Sequence, residues 1–237
     1  MKLTKSDKLL ITELVDHYKA NQKRLQTFLL DQIQPILLNS DALAQHVHSF
    51  KWRLKEPDRL RDKLVEKLIE AKQKKRNFKI TRENLFLKIN DLVGIRILHL
   101  HTRQMTKIDE LLRELLEEGR FRIIEGPFAR TWDDETKTFF TEIGIQTRQS
   151  GPSMYTSVHY VIDSNSRTRY TAEIQVRTLA EELWGEVSHV IDYPIPCPSM
   201  ACKEQIRVLA RVTSSCTRLV DSIFRSHEEF MATKKHD

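Results

Sequence analysis

The feature that most constrains the fold of this chain is a change in hydrophobic period along its length. In the first forty residues, Leu, Ile and Val recur at the spacing of an α-helix. Between residues 92 and 176 the pattern changes to short runs with the two-residue alternation of strands, and helical spacing returns after Thr178. Helices that flank a block of strands predict an α+β domain, with helices packed around a sheet.

Helix boundaries and turn residues divide the chain further. Pro57 and Asp58 suit the first turn of a helix, which we expect to reach about Lys74. Further helices are expected over residues 107–118, 178–191 and 202–230. A sheet of five strands is expected, over residues 92–100, 121–125, 139–146, 157–163 and 169–176.

Composition and charge limit the cellular setting. The chain has 237 residues, of which 40% are hydrophobic and 30% charged, as in a folded rather than a disordered protein. No segment has the length of a signal peptide's apolar core or of a membrane span, so we expect a cytoplasmic protein without membrane contact. Cys197, Cys202 and Cys216 lack zinc-site spacing and are expected to be reduced. The net charge of +6 favours a polyanionic partner, either nucleotide phosphates or RNA.

Polar side chains alternate along two of the predicted strands. Glu173, Gln175 and Arg177 share one face of the last strand. In an earlier strand, Tyr155 shares a face with Ser157 and His159, and an aromatic ring beside a hydroxyl and an imidazole suits base stacking and phosphate contact. Either pattern is also compatible with a solvated or hydrogen-bonded sheet face.

Acidic and basic residues near the other strand and helix complete the candidate set. Asp91 precedes the strand that contains Gly94 and Arg96, where it is either a turn former or a metal ligand. A basic stripe follows Pro57 at four-residue spacing, with two more basic residues upstream. Such a stripe suits a triphosphate, but it is also common on solvated helices. Its members are Arg53, Lys55, Arg59, Lys63 and Lys67.

Taken together, these segments resemble the synthetase domain of the RelA/SpoT family. The resemblance covers about residues 53–193, and several motifs in the family's order are more specific than any one of them. The motifs are Asp91-Leu-Val-Gly-Ile-Arg96, Tyr155-Thr-Ser-Val-His159 and Glu173-Ile-Gln-Val-Arg-Thr178, followed by Trp184, His189 and Tyr193.

The resemblance implies a nucleotidyltransferase-like mixed sheet and a small alarmone synthetase without a hydrolase domain. Such an enzyme moves the β,γ-pyrophosphate of ATP to the 3′-hydroxyl of GDP or GTP. The boundaries then become an N-terminal helical arm over residues 1–50, a synthetase domain over residues 51–195 and a C-terminal helix over residues 196–237.

Residue roles follow from the same resemblance. Asp91 and Glu173 are expected to be catalytic and to bind Mg²⁺, with Glu173 facing the acceptor hydroxyl. ATP contacts are expected from Arg53, Lys55, Arg59, Lys63, Lys67 and Arg96. Acceptor contacts are expected from Tyr155, which stacks on the base, and from Ser157, His159, Gln175, Arg177 and Glu182.

Departures from the family pattern keep the acceptor open. Gly151 stands where a basic residue is frequent, Pro194 where a lysine occurs, and Glu182 where small synthetases carry an asparagine. A carboxylate at Glu182 could accept two hydrogen bonds from guanine, which favours GDP or GTP. The run Lys74-Lys75-Arg76 and the altered loop before Tyr155 suit a tRNA 3′ end, and an adenine nucleotide that gives (p)ppApp is a further variant.

Two further expectations concern assembly and catalysis. A non-catalytic nucleotide- or RNA-binding module is the other alternative, although such a module is expected to have lost Asp91 or Glu173. Apolar stripes on the terminal helices predict a homo-oligomer. On the last helix this stripe consists of Ile206, Leu209, Val212, Leu219 and Ile223.

Overall fold

The computed structural model describes residues 3–149, 154–192 and 197–234. Its strands are β1 (Ser49–Leu54), β2 (Val93–His99), β3 (Arg122–Thr131), β4 (Gln146–Gln149), β5 (Ser157–Asp163) and β6 (Thr171–Thr178). They form a sheet in the order β1-β2-β6-β5-β3-β4. β2 pairs in parallel with β6, and β3 with β4, whereas the other neighbours are antiparallel. The sheet is therefore mixed, as the family resemblance implies.

Helices lie before, between and after the strands. The first is α1 (Lys5–Thr27), which continues through a π-helical segment (Phe28–Ile33) into α2 (Gln34–Leu38). The others are α3 (Asp41–Ala44), α4 (Pro57–Gln73), α5 (Leu85–Lys88), α6 (Gln104–Glu118), α7 (Asp134–Glu142), α8 (Leu179–Asp192) and α9 (Met200–Thr233). α4 begins at the proline that the sequence indicates, because proline needs no hydrogen-bond partner for its nitrogen in the first turn.

The sheet of the described residues has six strands, not the five that the sequence predicts. The additional strand is β1, in which Phe50 and Trp52 alternate with Lys51 and Arg53. This is the period-two pattern of a half-buried strand. The boundary expected between residues 50 and 51 falls inside this strand, and none of the five expected strands includes it.

The strand predicted over residues 139–146 is wrong for most of its length, because α7 extends to Glu142. Asp133 caps this helix by accepting a hydrogen bond from the Thr136 backbone N–H at 2.9 Å. Phe139 and Phe140 are adjacent and therefore resemble a strand core, but only Phe140 is buried. The extended part is β4, which begins at Gln146.

One face of the sheet packs against α1, α4 and α6 in a single hydrophobic core. Leu14, Leu64 and Leu112 from these helices are buried together with Ile95 and Ile174 from the strands. The N-terminal helix is thus part of the core that supports the sheet, and the opposite face is left for polar side chains. Within the described residues, every helix is too short or too polar to span a bilayer.

Candidate active site

The polar face of the sheet brings together residues from its central strands. Arg96 of β2 lies opposite Lys51 of β1 and Gln175 of β6, and Gln175 lies opposite His159 of β5. Glu173 is two residues before Gln175 and so projects to the same side. Residues opposite one another in a sheet share a face, so these side chains form one continuous polar surface.

A cleft of about 280 Å³ opens on this surface beside α8. Arg53 lies along one wall against Gly94, where an added Cβ atom would stand 3.0 Å from Arg53 Nε. The glycine therefore lets the guanidinium lie close to β2. The residues that line the cleft are Lys51, Trp52, Arg53, Gly94, Ile95, Arg96, Glu173, Gln175, Glu186 and His189.

The predicted ATP-binding residues do not all lie at this cleft. Arg53 and Arg96 line it. Arg59 is close to its rim, since burial and the positive charge of Arg59 together lower the pKa of His189. Lys67 borders a separate hollow of about 330 Å³ at the far end of α4. The basic stripe of the sequence is therefore divided between the cleft and another surface.

Asp91 stands at the entrance to β2 between two lysines. Its Oδ2 atom is 2.8 Å from Nζ of Lys55 and 2.8 Å from Nζ of Lys63. Burial alone would raise the pKa of Asp91, but the charges of the two lysines outweigh burial and lower this pKa. The Tyr18 hydroxyl of α1 donates a hydrogen bond to the Lys55 carbonyl. The N-terminal helix therefore helps to fix the loop that carries Lys55.

The two acids fit a magnesium ion that binds together with a nucleotide. Asp91 Oδ1 is buried and has no hydrogen-bond partner among the described residues. Glu173 is close enough to interact with Asp91 electrostatically. Within residues 3–149, 154–192 and 197–234, no group of three His, Cys, Asp or Glu residues could hold a metal. Mg²⁺ commonly takes one or two carboxylates and completes its shell with water and substrate phosphates, so a pair of acids is sufficient.

Glu173 is the centre of a hydrogen-bonded chain on β5 and β6. Its Oε1 atom is 3.1 Å from His159 Nδ1, and its Oε2 atom accepts from Gln175 Nε2 at 2.9 Å. The chain continues from His159 Nε2 to Ser157 Oγ at 2.6 Å, and the Tyr155 hydroxyl donates to Gln175 Oε1 at 3.3 Å. The structure thus brings two predicted acceptor residues, His159 and Gln175, into contact with the predicted catalytic acid and connects two more, Ser157 and Tyr155, to it through them.

These contacts set the ionisation state of Glu173. Burial alone would raise the pKa of its carboxyl group, and the nearby Asp91 acts in the same direction. The hydrogen bond from His159, its electrostatic influence and the Gln175 amide outweigh both and lower the pKa of Glu173. Glu173 is therefore a carboxylate at neutral pH and can accept a hydrogen bond from a hydroxyl group.

Glu182 of α8 binds three basic side chains. Its Oε1 atom is 2.6 Å from Lys51 Nζ and 3.1 Å from Arg96 Nη1, and Arg177 forms an ion pair with its Oε2 atom. Burial alone would raise the pKa of Glu182, but the Lys51 hydrogen bond and the arginine charges lower it to about 2. Contact between Glu182 and guanine stays a prediction, and both carboxylate oxygens already have cationic partners in this structure.

Arg177 is buried behind Tyr155. Its guanidinium carbon lies 5.6 Å from the centre of the Tyr155 ring, and only 3% of its side chain is exposed. Gly185 of α8 makes room for it, since an added Cβ atom would stand 2.6 Å from Arg177 Nη1. Arg177 therefore supports Tyr155 from behind, and its direct contact with the acceptor stays a prediction.

Several residues at the site were not singled out from the sequence. Lys51 and Glu186 line the cleft, and Arg96 Nη1 also contacts Glu186. Their signals were available: Lys51 is in the alternating β1 segment, and Glu186 is one helical turn after Glu182. Phe128 was also missed; its ring stacks on His159 with centroids 5.2 Å apart. Gly151, Tyr193 and Pro194, which the family comparison raised, lie outside the described residues.

Solved structures with this fold are small alarmone synthetases and related proteins. Small alarmone synthetase 1 of Bacillus subtilis bound to its product pppGpp has a TM-score of 0.55 and 17% identity, covering 86% of this chain and 94% of that chain. The same protein bound to AMPCPP gives 0.55 and 16%, over 90% and 95%. A GTP pyrophosphokinase family protein from Streptococcus pneumoniae gives 0.56 and 18%, over 98% of both chains. Such identities establish the fold alone.

The sequence itself establishes the family. The region found in RelA and SpoT proteins matches residues 52–196, more than half of the chain. The protein therefore belongs to the RelA/SpoT family, as its motifs indicate. A comparison with curated proteins gives no match.

Proposed function

We propose that this protein transfers the β,γ-pyrophosphate of ATP to the 3′-hydroxyl of GDP or GTP and so produces (p)ppGpp, the alarmone of the stringent response, and AMP. The observation that carries the proposal is the distribution of charge at the site. Asp91 has a buried oxygen without a protein partner beside Lys55 and Lys63, and Glu173 lies on the neighbouring strand. Phosphoryl-type transfer uses these parts: a metal-binding acid, cations along the donor phosphates and a group that orients the nucleophile.

On the donor side, we assign the adenine to the space between Arg53 and Arg96 and the triphosphate to Lys55 and Lys63. Mg²⁺ held by Asp91 and Glu173 would supply positive charge next to the transferring group. The lysines that now hold Asp91 are then available to the phosphates. Lys67 borders another hollow, so we assign it no contact with ATP.

On the acceptor side, Tyr155 stacks on the base and Glu173 orients the 3′-hydroxyl. The hydroxyl oxygen forms a bond to the β-phosphorus of ATP, and the bond from this phosphorus to the α,β-bridging oxygen breaks. AMP leaves with the bridging oxygen, and the hydroxyl proton passes to the Glu173 carboxylate. His159 and Gln175 hold that carboxylate in place, which limits the reorganisation needed during transfer.

The complexes of the Bacillus subtilis relative support this assignment, because its structures contain an ATP analogue and a guanosine product. ATP and GTP are available in the cytoplasm, which is where we propose that the reaction occurs. One observation favours a second candidate acceptor, the 3′ end of tRNA or an adenine nucleotide. Glu182, the carboxylate expected to recognise guanine, already pairs with three basic side chains. Its preference for guanine over adenine is therefore weakened.

The test is a transfer assay with γ-labelled ATP, Mg²⁺ and one acceptor at a time: GDP, GTP, ATP or deacylated tRNA. We expect label to move to GDP and GTP, and the Glu173→Gln variant to lose this transfer. Transfer chiefly to tRNA or to ATP would replace our acceptor with the second candidate. If no acceptor is labelled and wild type and variant are indistinguishable, the protein is a binding module instead of an enzyme.

A further inference from the structure

A row of stacked side chains leads from the candidate site to the far edge of the sheet. His159, which contacts Glu173, stacks on Phe128 of β3 with ring planes 5° apart. Arg148 of β4 covers the same ring, with its guanidinium carbon 3.7 Å from the ring centre. The Arg148 guanidinium is therefore held in a defined position relative to the catalytic acid.

A second arginine stands beside the first. Arg130 of β3 lies directly opposite Arg148 in the parallel register, and its guanidinium carbon is 5.7 Å from the centre of the Phe128 ring. Both side chains are exposed, and Glu125 pairs with Arg148 at 2.8 Å. Like charges directly opposite one another destabilise a sheet. The arginine edge, formed by Arg130 and Arg148, therefore has a stability cost that Glu125 offsets in part and that an anionic ligand would offset further.

The strand order separates the arginine edge from the donor cations. Arg53 and Lys55 lie at the β1 side of the sheet, Glu173 is on β6 in the middle, and the arginine edge is at the β3–β4 side. Across the sheet, two strand spacings, about 10 Å, separate β6 from β3. Along the strands there is a further offset, because Glu173 pairs with Val161 of β5 whereas Arg130 pairs with Ser157. Both guanidinium groups lie back over the Phe128 ring, which brings them nearer to Glu173 than their strand positions are. Two cationic regions thus flank the reacting position, and only one of them is used by ATP.

We propose that the arginine edge binds the 5′-phosphate groups of the acceptor, an assignment that rests on the proposed function. Guanidinium groups suit this ligand, because they donate paired hydrogen bonds to phosphate oxygens. These phosphates belong either to free GDP and GTP or to the phosphodiester backbone at an RNA 3′ end. The shared chemistry is a phosphate on the 5′ side of the nucleoside whose 3′-hydroxyl faces Glu173.

The experiment compares Arg130→Gln, Arg148→Gln and the double variant with wild type. Arg207→Gln is the matched control, because Arg207 is an exposed arginine on α9 that also pairs with a glutamate. In the double variant we expect the KM for GDP and GTP to rise at least about 10-fold, while the KM for ATP and kcat stay within about twofold. Arg148→Lys retains charge without the paired donors and should fall between wild type and Arg148→Gln. Equal urea midpoints show that the variants remain folded.

Direct binding separates this inference from the proposed function. The dissociation constants of GDP and of an RNA oligonucleotide ending in CCA are measured for wild type and the double variant, whether or not transfer is seen. Weaker GDP binding supports a free-nucleotide source, and weaker RNA binding with GDP unchanged supports the backbone source. If the double variant binds both ligands as wild type does, and any acceptor KM is unchanged, the arginine edge is not an acceptor site. If wild type transfers no pyrophosphate but the double variant binds GDP or RNA more weakly than wild type does, the arginine edge is a phosphate-binding site and only the proposed function is wrong.

Discussion

At the residue scale, the decisive side chain is Glu173, since its contacts keep it ionised and aimed at the site. Glu173→Gln retains the shape and the hydrogen bond to Gln175 but cannot take up a proton, so we expect kcat to fall by about 10²–10⁴-fold. Glu186→Gln, which changes a half-exposed carboxylate of the same cleft, is the control and should retain most activity. Because the pKa of Glu173 is lowered, its protonation should reduce the rate only at a pH below the usual range of glutamate. A Glu173→Gln variant with wild-type kcat would remove this residue from the reaction.

Glu182 illustrates a residue whose environment matters more than its type. The Glu182→Gln variant leaves the buried Arg177 with only the more distant Glu186 carboxylate, at 4.0 Å. Breaking a buried ion pair commonly costs about 3–5 kcal/mol of unfolding free energy. Lys51→Met removes a half-exposed partner of the same carboxylate and should cost about 1 kcal/mol or less. Urea unfolding of both variants tests the difference. Equal costs would show that Glu182 is not an anchor for the buried arginine.

At the element scale, the packing of α8 against β6 depends on Gly185. A helix-interior Gly→Ala change usually stabilises by about 0.5–1 kcal/mol. Here the new methyl group would meet the Arg177 guanidinium at 2.6 Å, so we expect Gly185→Ala to destabilise by about 1–3 kcal/mol. A decrease in the free energy of unfolding, where Gly→Ala usually gives an increase, therefore identifies this contact, and chemical unfolding measures it. Pairing Gly185→Ala with Arg177→Ala should remove the clash; a penalty that persists in this pair would point to another cause.

Strands and helices with unambiguous periods could be predicted from the sequence. Residues 157–163 form β5 as expected; the strand pairs with β3 on one side and β6 on the other, and all seven of its residues are buried. β3 extends to Thr131, beyond the expected end at Glu125, since pairing with β5 resumes after Gly126 and Pro127. Gly126 and Pro127 predict the end of a strand, because glycine and proline weaken or interrupt strand pairing. The pairing with β5 continues beyond them and depends on a strand that is distant in sequence.

The candidate site was predictable where motif residues are adjacent in sequence and less so where the fold joins distant elements. Asp91 and Lys63 could be named, but their ion pair depends on how α4 meets β2. The engagement of Glu182 by Lys51 joins residues 131 positions apart. The contact between Lys51 and Glu182 depends on the order of the strands in the sheet. Because β1 was not predicted, Lys51 was not among the predicted site residues.

At the scale of the whole molecule, His99 should make stability depend on pH. Burial lowers its pKa from 6.5 to about 4, and its Nδ1 atom lies 3.0 Å from the His101 carbonyl oxygen. The folded state therefore resists protonation that the unfolded chain accepts. The contribution of neutral His99 to the free energy of unfolding is complete above pH 6.5 and is lost as the pH falls towards 4. The total loss is about 3 kcal/mol.

The variant that tests this effect is His99→Asn, which places an amide donor near the Nδ1 position and does not titrate. We expect the unfolding free energy of wild type to decrease more steeply between pH 6.5 and 4.5 than that of the variant. Carboxylates that titrate in this range are common to both proteins, so the difference reports on His99. Parallel curves would show that His99 is protonated equally in both states.

The other molecular property to be tested is assembly through α9. Ile206 and Leu209 of the predicted stripe are partly covered, and the Ile206 carbonyl accepts a hydrogen bond from Trp184 at 3.0 Å. The exposed stripe is instead Val208, Val212, Leu219, Ile223 and Phe230, each more than half exposed. Alternating steps of four and seven residues keep these side chains on one helix face. A second copy of the chain could cover this face, because matching apolar stripes on two helices bury one another.

Light scattering measures this association directly. We expect wild type to have at least twice the 27.9 kDa mass of one chain. Val212→Glu with Leu219→Glu places charges in the centre of the stripe and should give monomers, because burying unpaired carboxylates opposes the contact. Glu204→Gln with Arg207→Gln, which changes an exposed ion pair on the same helix, should leave the mass unchanged. A wild-type protein that remains at the mass of one chain at every concentration would mean that this face is open to solvent or to another partner.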